Sequence, residues 1–348
     1  MSAVDFGPGH RVLRIGRIWL RVQPRQLLLA ALLSVLAAAL GLYALATGDY
    51  TLGLGEVLNT LAGAGEASSQ RVVLQWRLPR VLMALLLGAA LGASGAIFQS
   101  MTRNPLGSPD IIGFNTGAYT GALAVMLVFG GGYFQVALGA LAGGLATAAV
   151  VYALSFKNGS EGFRLIIVGI AVSAILASAN TWLILRSELE DAMSAAIWGA
   201  GSLNAIGWDQ AIPAAAVALP LALGAMACTR RMRLLELGDD AAVALGINTE
   251  SSKLSLLVIG VALTALATAA AGPIAFISLA APQIARRIMG SAGVSLAYSA
   301  LLGAVLLLAS DVLAQRVLEN TSLPVGVVTV SIGGVYLIWL LLREARRQ

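Results

Sequence analysis

Polar side chains are scarce in this sequence, so the places where they gather stand out. Arg230-Arg-Met-Arg-Leu-Leu-Glu-Leu-Gly-Asp-Asp-Ala-Ala-Val-Ala-Leu-Gly-Ile247 carries three arginines, then Glu236, Asp239 and Asp240. Carboxylates are favoured at a helix N-terminus by its dipole, and glycine commonly ends a helix. A short helix over 241–245 is therefore expected, entered past Gly238, begun at Ala241 and closed after Leu245 by Gly246. Two readings stand: a solvated amphipathic loop, or a helix whose Val and Leu fit a socket in a partner protein. A second stretch, 99–110, holds Arg103, Asn104 and Pro105 and is stiffened by a second proline, Pro109. It is either a rigid turn or part of a docking face. In the third, 75–80, Arg77 and Arg80 bracket Pro79 beside Trp76. Trp76 and the arginines either anchor the chain at a membrane edge or form a positive rim for a partner's carboxylates.

None of this is catalytic machinery. Cys228 is the single cysteine and His10 the single histidine, which excludes an internal disulfide and histidine-based metal or acid/base chemistry. Neither Lys157 nor Lys253 follows a phosphate-binding glycine loop, so the chain does not bind ATP in that way. No metal site and no cofactor is expected.

The elements that position these stretches follow from composition. Charged residues make up 11% of the 348, against about 25% in a soluble domain. Hydrophobic residues make up 58%, enough for about ten spans of ~20 residues. A soluble enzyme, a disordered chain and a nucleic-acid binder are thereby excluded; the net charge of +5 is scattered. Apolar runs fall at 27–46, 80–101, 111–130, 133–155, 163–185, 211–229, 253–272, 274–289, 295–315 and 325–342. The eighth is interrupted by Pro273 and Pro282. Ala44-Leu45-Ala46 resembles a signal-peptidase site, but the first run is longer than a signal core and is read as a retained span. The expected class is an all-α polytopic membrane protein, with a basic cytoplasmic segment over 1–26 and a transmembrane domain over 27–348.

Ten spans put both termini on one side. With the N-terminus inside, the inner segments take 17 of the 22 basic residues and the outer ones keep Arg71, Arg77, Arg80, Arg186 and Arg316, as the positive-inside rule requires. The loop over 230–252 is then cytoplasmic, and Arg77 and Arg80 face outward. Gly88, Gly92 and Gly95 line one helical face, which suits tight packing or a helix that lines or moves along a path. Gly95-Ala-Ile-Phe98 and Gly272-Pro-Ile-Ala-Phe276 hint at a duplication. Asp311 in the ninth span marks either a pathway or a paired site.

Several stretches together resemble a known family. They are Trp76-Arg-Leu-Pro-Arg80, the 88–99 glycine stretch, Arg103-Asn-Pro-Leu-Gly107, Gly272-Pro-Ile-Ala-Phe276, Ala281-Pro-Gln-Ile-Ala-Arg286 and Leu323-Pro-Val-Gly326. The chain resembles, from about residue 27 to 347, the FecCD permeases of bacterial ABC importers for iron-siderophore complexes, haem and vitamin B12. Within the family, 103–110, 113–117, 163–167 and 230–240 look most like a ferric-enterobactin permease subunit. The resemblance implies a vitamin-B12-permease-like (type II importer) bundle paired with a second, related permease, making a heterodimer. It implies two ATPase subunits inside, an extracytoplasmic siderophore-binding protein outside, and a ferric-siderophore cargo, catecholate in type. Residues 236–247 match the family's coupling helix, and Arg103, Asn104 and Pro105 are taken to share in coupling to the ATPase. Arg77 and Arg80 match arginines that meet the binding protein; a further family arginine falls on Gln315, next to Arg316. The family's common Pro-His is Pro282-Gln283 here. The competing reading is a secondary carrier or channel without an ATPase, which the coupling-loop signature disfavours.

Overall fold

The computed structural model describes residues 11–15, 18–48, 50–155, 162–204, 206–291, 293–318 and 322–345. All of residues 1–10, His10 among them, and Arg17, Lys157, Arg346 and Arg347, several of which entered the orientation argument or the exclusions above, lie outside these residues. Ahead of the all-helical bundle, β1 (Arg11–Ile15) and β2 (Ile18–Val22) pair antiparallel as a short hairpin. Both are rich in the β-branched and aromatic residues that suit strands.

The helices follow as α1 (Pro24–Ala46), α2 (Leu54–Leu61), α3 (Ala67–Gln70), a π-helical turn over Arg71–Arg77, and α4 (Leu78–Thr102). Next come α5 (Pro109–Ile112), α6 (Phe114–Val128), α7 (Tyr133–Ser155), α8 (Gly162–Arg186) and α9 (Leu189–Gly199). The last are α10 (Trp208–Leu235), α11 (Asp239–Ala244), α12 (Thr249–Ala271), α13 (Ile277–Met289), α14 (Leu296–Ala314) and α15 (Val325–Ala345). Among the described residues, seven helical segments are long and apolar enough to cross a membrane: α1, the continuous stretch Ala67–Thr102, α7, α8, α10, α12 and α14. The apolar parts of α6 and α15 are shorter, and α13 has 13 residues, or about 20 Å against a ~30 Å hydrocarbon core.

The backbone explains the short helices. Gly113 takes φ 91° and separates α5 from α6. At the end of α12, Gly272 takes φ 73°, and Pro273 prevents the helix from running on. Phe276 then sits at φ 70°, a strained conformation for a residue with a side chain, before α13 begins. The two stretches compared above for duplication thus differ: 95–98 is in the middle of α4, whereas 272–276 is a break.

α4 is the buried centre of the bundle, packed on by α10, α12, α13 and α14. Leu87, Leu91, Ile97 and Phe98 are fully buried along it. A Cβ on Gly92 would run into the Ser299 carbonyl, one on Gly303 into the Gly88 carbonyl, and one on Gly95 into the Ser278 carbonyl. The glycine face of α4 is a packing seam, and of the two readings above it is this one that the geometry supports. In contrast, α1 leaves Leu28, Leu32 and Val35 exposed, as expected of a helix turned to lipid.

Candidate functional site

At one end of the bundle the two stretches expected to dock a partner meet. α10 continues to Leu235, so 230–235 is helix rather than loop. Met232 and Leu235 face the core while Arg230, Arg231 and Arg233 point out, so the amphipathic pattern extends the helix beyond its apolar run. Gly238 turns the chain at φ 104° and Gly246 turns it again at φ 81°. Between them lies α11, beginning at Asp239 instead of Ala241, because both aspartates fit within its first turn. Ala242 is buried against the bundle, whereas Val243 and Leu245 are exposed.

Asp239 ties this segment down. Lys253 Nζ donates to its Oδ2 at 2.5 Å, and Arg103 Nη2 lies 3.8 Å from its Oδ1. Arg103 caps α4 in the left-handed conformation, φ 52°. Asn104 Oδ1 accepts from the Leu106 N–H at 2.9 Å, which stiffens the turn before Pro105 and Leu106. Ser100 Oγ donates to the Met232 carbonyl at 3.2 Å and binds α4 to α10. Glu236 Oε1 accepts from the Val294 N–H at 3.3 Å and reaches α14's approach. The exposed residues Leu237, Val243 and Leu245 belong to this anchored segment, and exposed Leu106 lies on the turn after Arg103. Asp240 and Ala241 complete the first turn of α11.

At the opposite end the three arginines converge on α1, α4 and α14. The segment holding Trp76 and Arg77 is helical, a π turn feeding α4. Pro79 sits in the first turn of α4, where no intrahelical N–H is needed. Arg77 donates to the Leu45 carbonyl at 2.7 Å and to the Tyr50 carbonyl at 2.5 Å. Arg80 grips Asp311 with two hydrogen bonds, at 2.9 and 2.8 Å. Gln315 Nε2 donates to the same carboxylate at 2.8 Å. Asp311 is therefore a paired site. Arg316 is exposed, with its guanidinium 5.7 Å from the centre of the Tyr43 ring.

Sequence reasoning missed several polar contacts. Lys253 was read only as an inner positive charge, yet it clamps Asp239. Asp110, seen only as the end of a turn, accepts from Asn115 Nδ2 at 2.5 Å, Ser278 Oγ at 2.7 Å and the Phe276 N–H at 3.1 Å. It thereby holds the strained start of α13, and Thr268 Oγ1 adds α12 by donating to Asn115 Oδ1 at 2.9 Å. The one signal available was Ser108-Pro-Asp110 at a helix start, with Ser108 as N-cap. Gln283, at the departure from the family's Pro-His, donates to Gln99 Oε1, and Gln99 Nε2 donates to the Leu279 carbonyl at 3.0 Å. Both glutamines are buried and tie α13 to α4. Among the described residues no group of three or more His, Cys, Asp or Glu is placed to hold a metal.

Residues 35–343 match the model of the FecCD transport family. The chain belongs to the FecCD transport family. Among FecCD proteins, it is 54% identical over 293 residues to the ferric enterobactin transport system permease FepG of Escherichia coli K12, covering 84% of this chain and 89% of that protein. It is 36% identical to the iron(3+)-hydroxamate permease FhuG of Bacillus subtilis 168, covering 83% and 88%. A solved inward-facing metal-chelate type ABC transporter matches with a TM-score of 0.81 at 27% identity, over 90% of this chain and 99% of that one. These relatives are permease subunits, transport proteins and not catalysts. As a FecCD member with seven long apolar helical segments, the chain is a multi-pass membrane protein.

Proposed function

We propose that this chain is the permease subunit of a binding-protein-dependent importer that carries a ferric siderophore across the cytoplasmic membrane. ATP is hydrolysed on two partner ATPase subunits. The observation that carries the reading is the tethered α11, whose exposed Val243 and Leu245 stand on a segment fixed by Asp239, Lys253 and Arg103. Such a segment passes displacement to α4, α10 and α12 as one body. The 54% identity to FepG supports a catecholate cargo of the ferric-enterobactin type and a second, related permease as partner. Counting α6, α13 and α15 as spans gives ten, with both termini cytoplasmic, α11 inside and Arg77, Arg80 and Arg316 outside, facing the binding protein. Asp311 and Asp110 are both held by fixed partners, which argues against a proton-coupled carrier.

The test is copurification of the chain with its neighbours from native membranes, followed by uptake of labelled ferric catecholate, hydroxamate and citrate complexes into vesicles containing ATP. Uptake of the catecholate alone, dependent on ATP and on a binding protein, is the expected result. Uptake without an ATPase subunit would overturn the assignment.

A further inference from the structure

Between α4, α10, α12 and α14 lies an apolar trough of about 650 Å³ that opens on the outer surface of the bundle. Its floor is made by small residues. Ala89 and Ala93 on α4 and Ala300 on α14 leave a gap that larger side chains would close. Along α10 the lining recurs at Ala215, Ala218, Ala222, Met226, Thr229 and Arg233, one helical face of roughly 27 Å at ~1.5 Å per residue. The polar residues of the lining all lie at one end: Thr229 and Arg233 on the last turns of α10, and Ser295 at the start of α14. Arg233 is exposed there, and so are its neighbours Arg230 and Arg231. No carboxylate among the described residues forms an ion pair with Arg233.

A long apolar channel with hydroxyls and a cation at one end has the polarity of an anionic amphiphile. We infer that the trough is a binding site for an anionic phospholipid, with one acyl chain between α4 and α10 and the phosphate against Arg233, Thr229 and Ser295. The apolar lining inside a membrane-spanning bundle rules out a soluble partner along most of its length. The concentration of positive charge at one end selects an anionic over a zwitterionic head. The orientation proposed above puts that phosphate in the cytoplasmic leaflet, and only this assignment rests on it. The site lies on the face of α10 that leads to α11, so occupancy of the trough bears on the same helix that carries the coupling segment.

The experiment uses the purified importer complex in nanodiscs containing phosphatidylglycerol with a photoactivatable acyl chain, and locates the labelled peptides. Labelling is expected on α10 between 215 and 233 and on the facing part of α4. Arg233→Gln should lower it about fivefold, whereas Arg233→Lys should preserve it. Ala222→Trp, which fills the trough, should abolish labelling there and leave labelling of α1 unchanged. A phosphatidylcholine probe should label α10 about fivefold less than phosphatidylglycerol, and inorganic phosphate should not compete. Equal labelling by the two lipids, or labelling untouched by Arg233→Gln, would overturn the site. So would crosslinking of the trough to a second permease in place of lipid.

Discussion

Replacing Asp311 by Asn leaves the guanidinium of Arg80 without its counter-charge in the first turn of α4. Side-chain exposure is 19% for Arg80 and 1% for Asp311, so water replaces little of the lost contact. Two unit charges ~4 Å apart interact by about 4 kcal/mol at an effective dielectric of 20. Desolvation of both groups offsets part of this, and the two hydrogen bonds at 2.9 and 2.8 Å restore part of it. A coupling energy of about 2–3 kcal/mol is expected. Asp311→Asn and Arg80→Gln should each destabilise the permease by about that amount, and the double variant should lose far less than their sum. The assay is a double-mutant cycle on the purified permease in lipid nanodiscs, read by denaturant unfolding, with ATP-driven uptake in parallel. Additive losses, within about 0.5 kcal/mol, would refute the pairing. Loss of uptake in Asp311→Asn at full stability would instead return Asp311 to a pathway role.

Charge reversal at Asp239 (Asp239→Lys) sets a cation beside Lys253 and Arg103; uptake should fall at least tenfold while membrane abundance holds, checked by vesicle uptake and immunoblot. Glu236→Lys should show the same split, and normal ATPase association in either variant would count against the coupling role. Arg316→Glu removes only a contact with Tyr43 and leaves the Asp311 pair intact, so it should weaken binding-protein-stimulated ATPase activity without lowering stability. Arg77→Glu should weaken that stimulation too, but with added destabilisation from the lost contacts to the Leu45 and Tyr50 carbonyls. Gly92→Leu should prevent accumulation of the protein altogether, because its side chain would occupy the position of the Ser299 backbone; normal abundance on membrane blots would show that the α4–α14 seam can part.

Hydropathy and the punctuation of glycine and proline made most of the long helices readable, as well as the turn-helix-turn at 238–246. They failed where a helix is interrupted inside the bundle. The run over 111–130 reads as one span, yet Gly113 divides it, and glycine within an apolar run carries no visible sign of the angle it adopts. Pro273 and Pro282 did mark the eighth run as irregular, but not that α13 would start only at Ile277 with an N–H of the break held by a carboxylate from Asp110. That contact joins residues 166 apart in sequence, and no local pattern encodes it. Lys253 and Asp239 are only 14 apart, but they sit on separate helices across the Gly246 turn, where no helical period relates them. The arginines at 77 and 80 were recognisable as a pair, but their different bonding was not. One holds main-chain carbonyls near α1 and the other holds Asp311 on α14.

α4 begins two residues before Arg80 and ends one before Arg103, so the two proposed partner faces are mounted on opposite ends of a single 25-residue rod. A helix resists axial compression, and this one is clasped by glycine contacts along its middle. Force applied through Arg103 therefore reaches Arg80 as tilt or translation of the whole strut, with little lost to bending. The two proposed faces cannot change state independently. Whatever presses on one must register at the other, across the full thickness of the membrane and without any chain of side-chain relays between them.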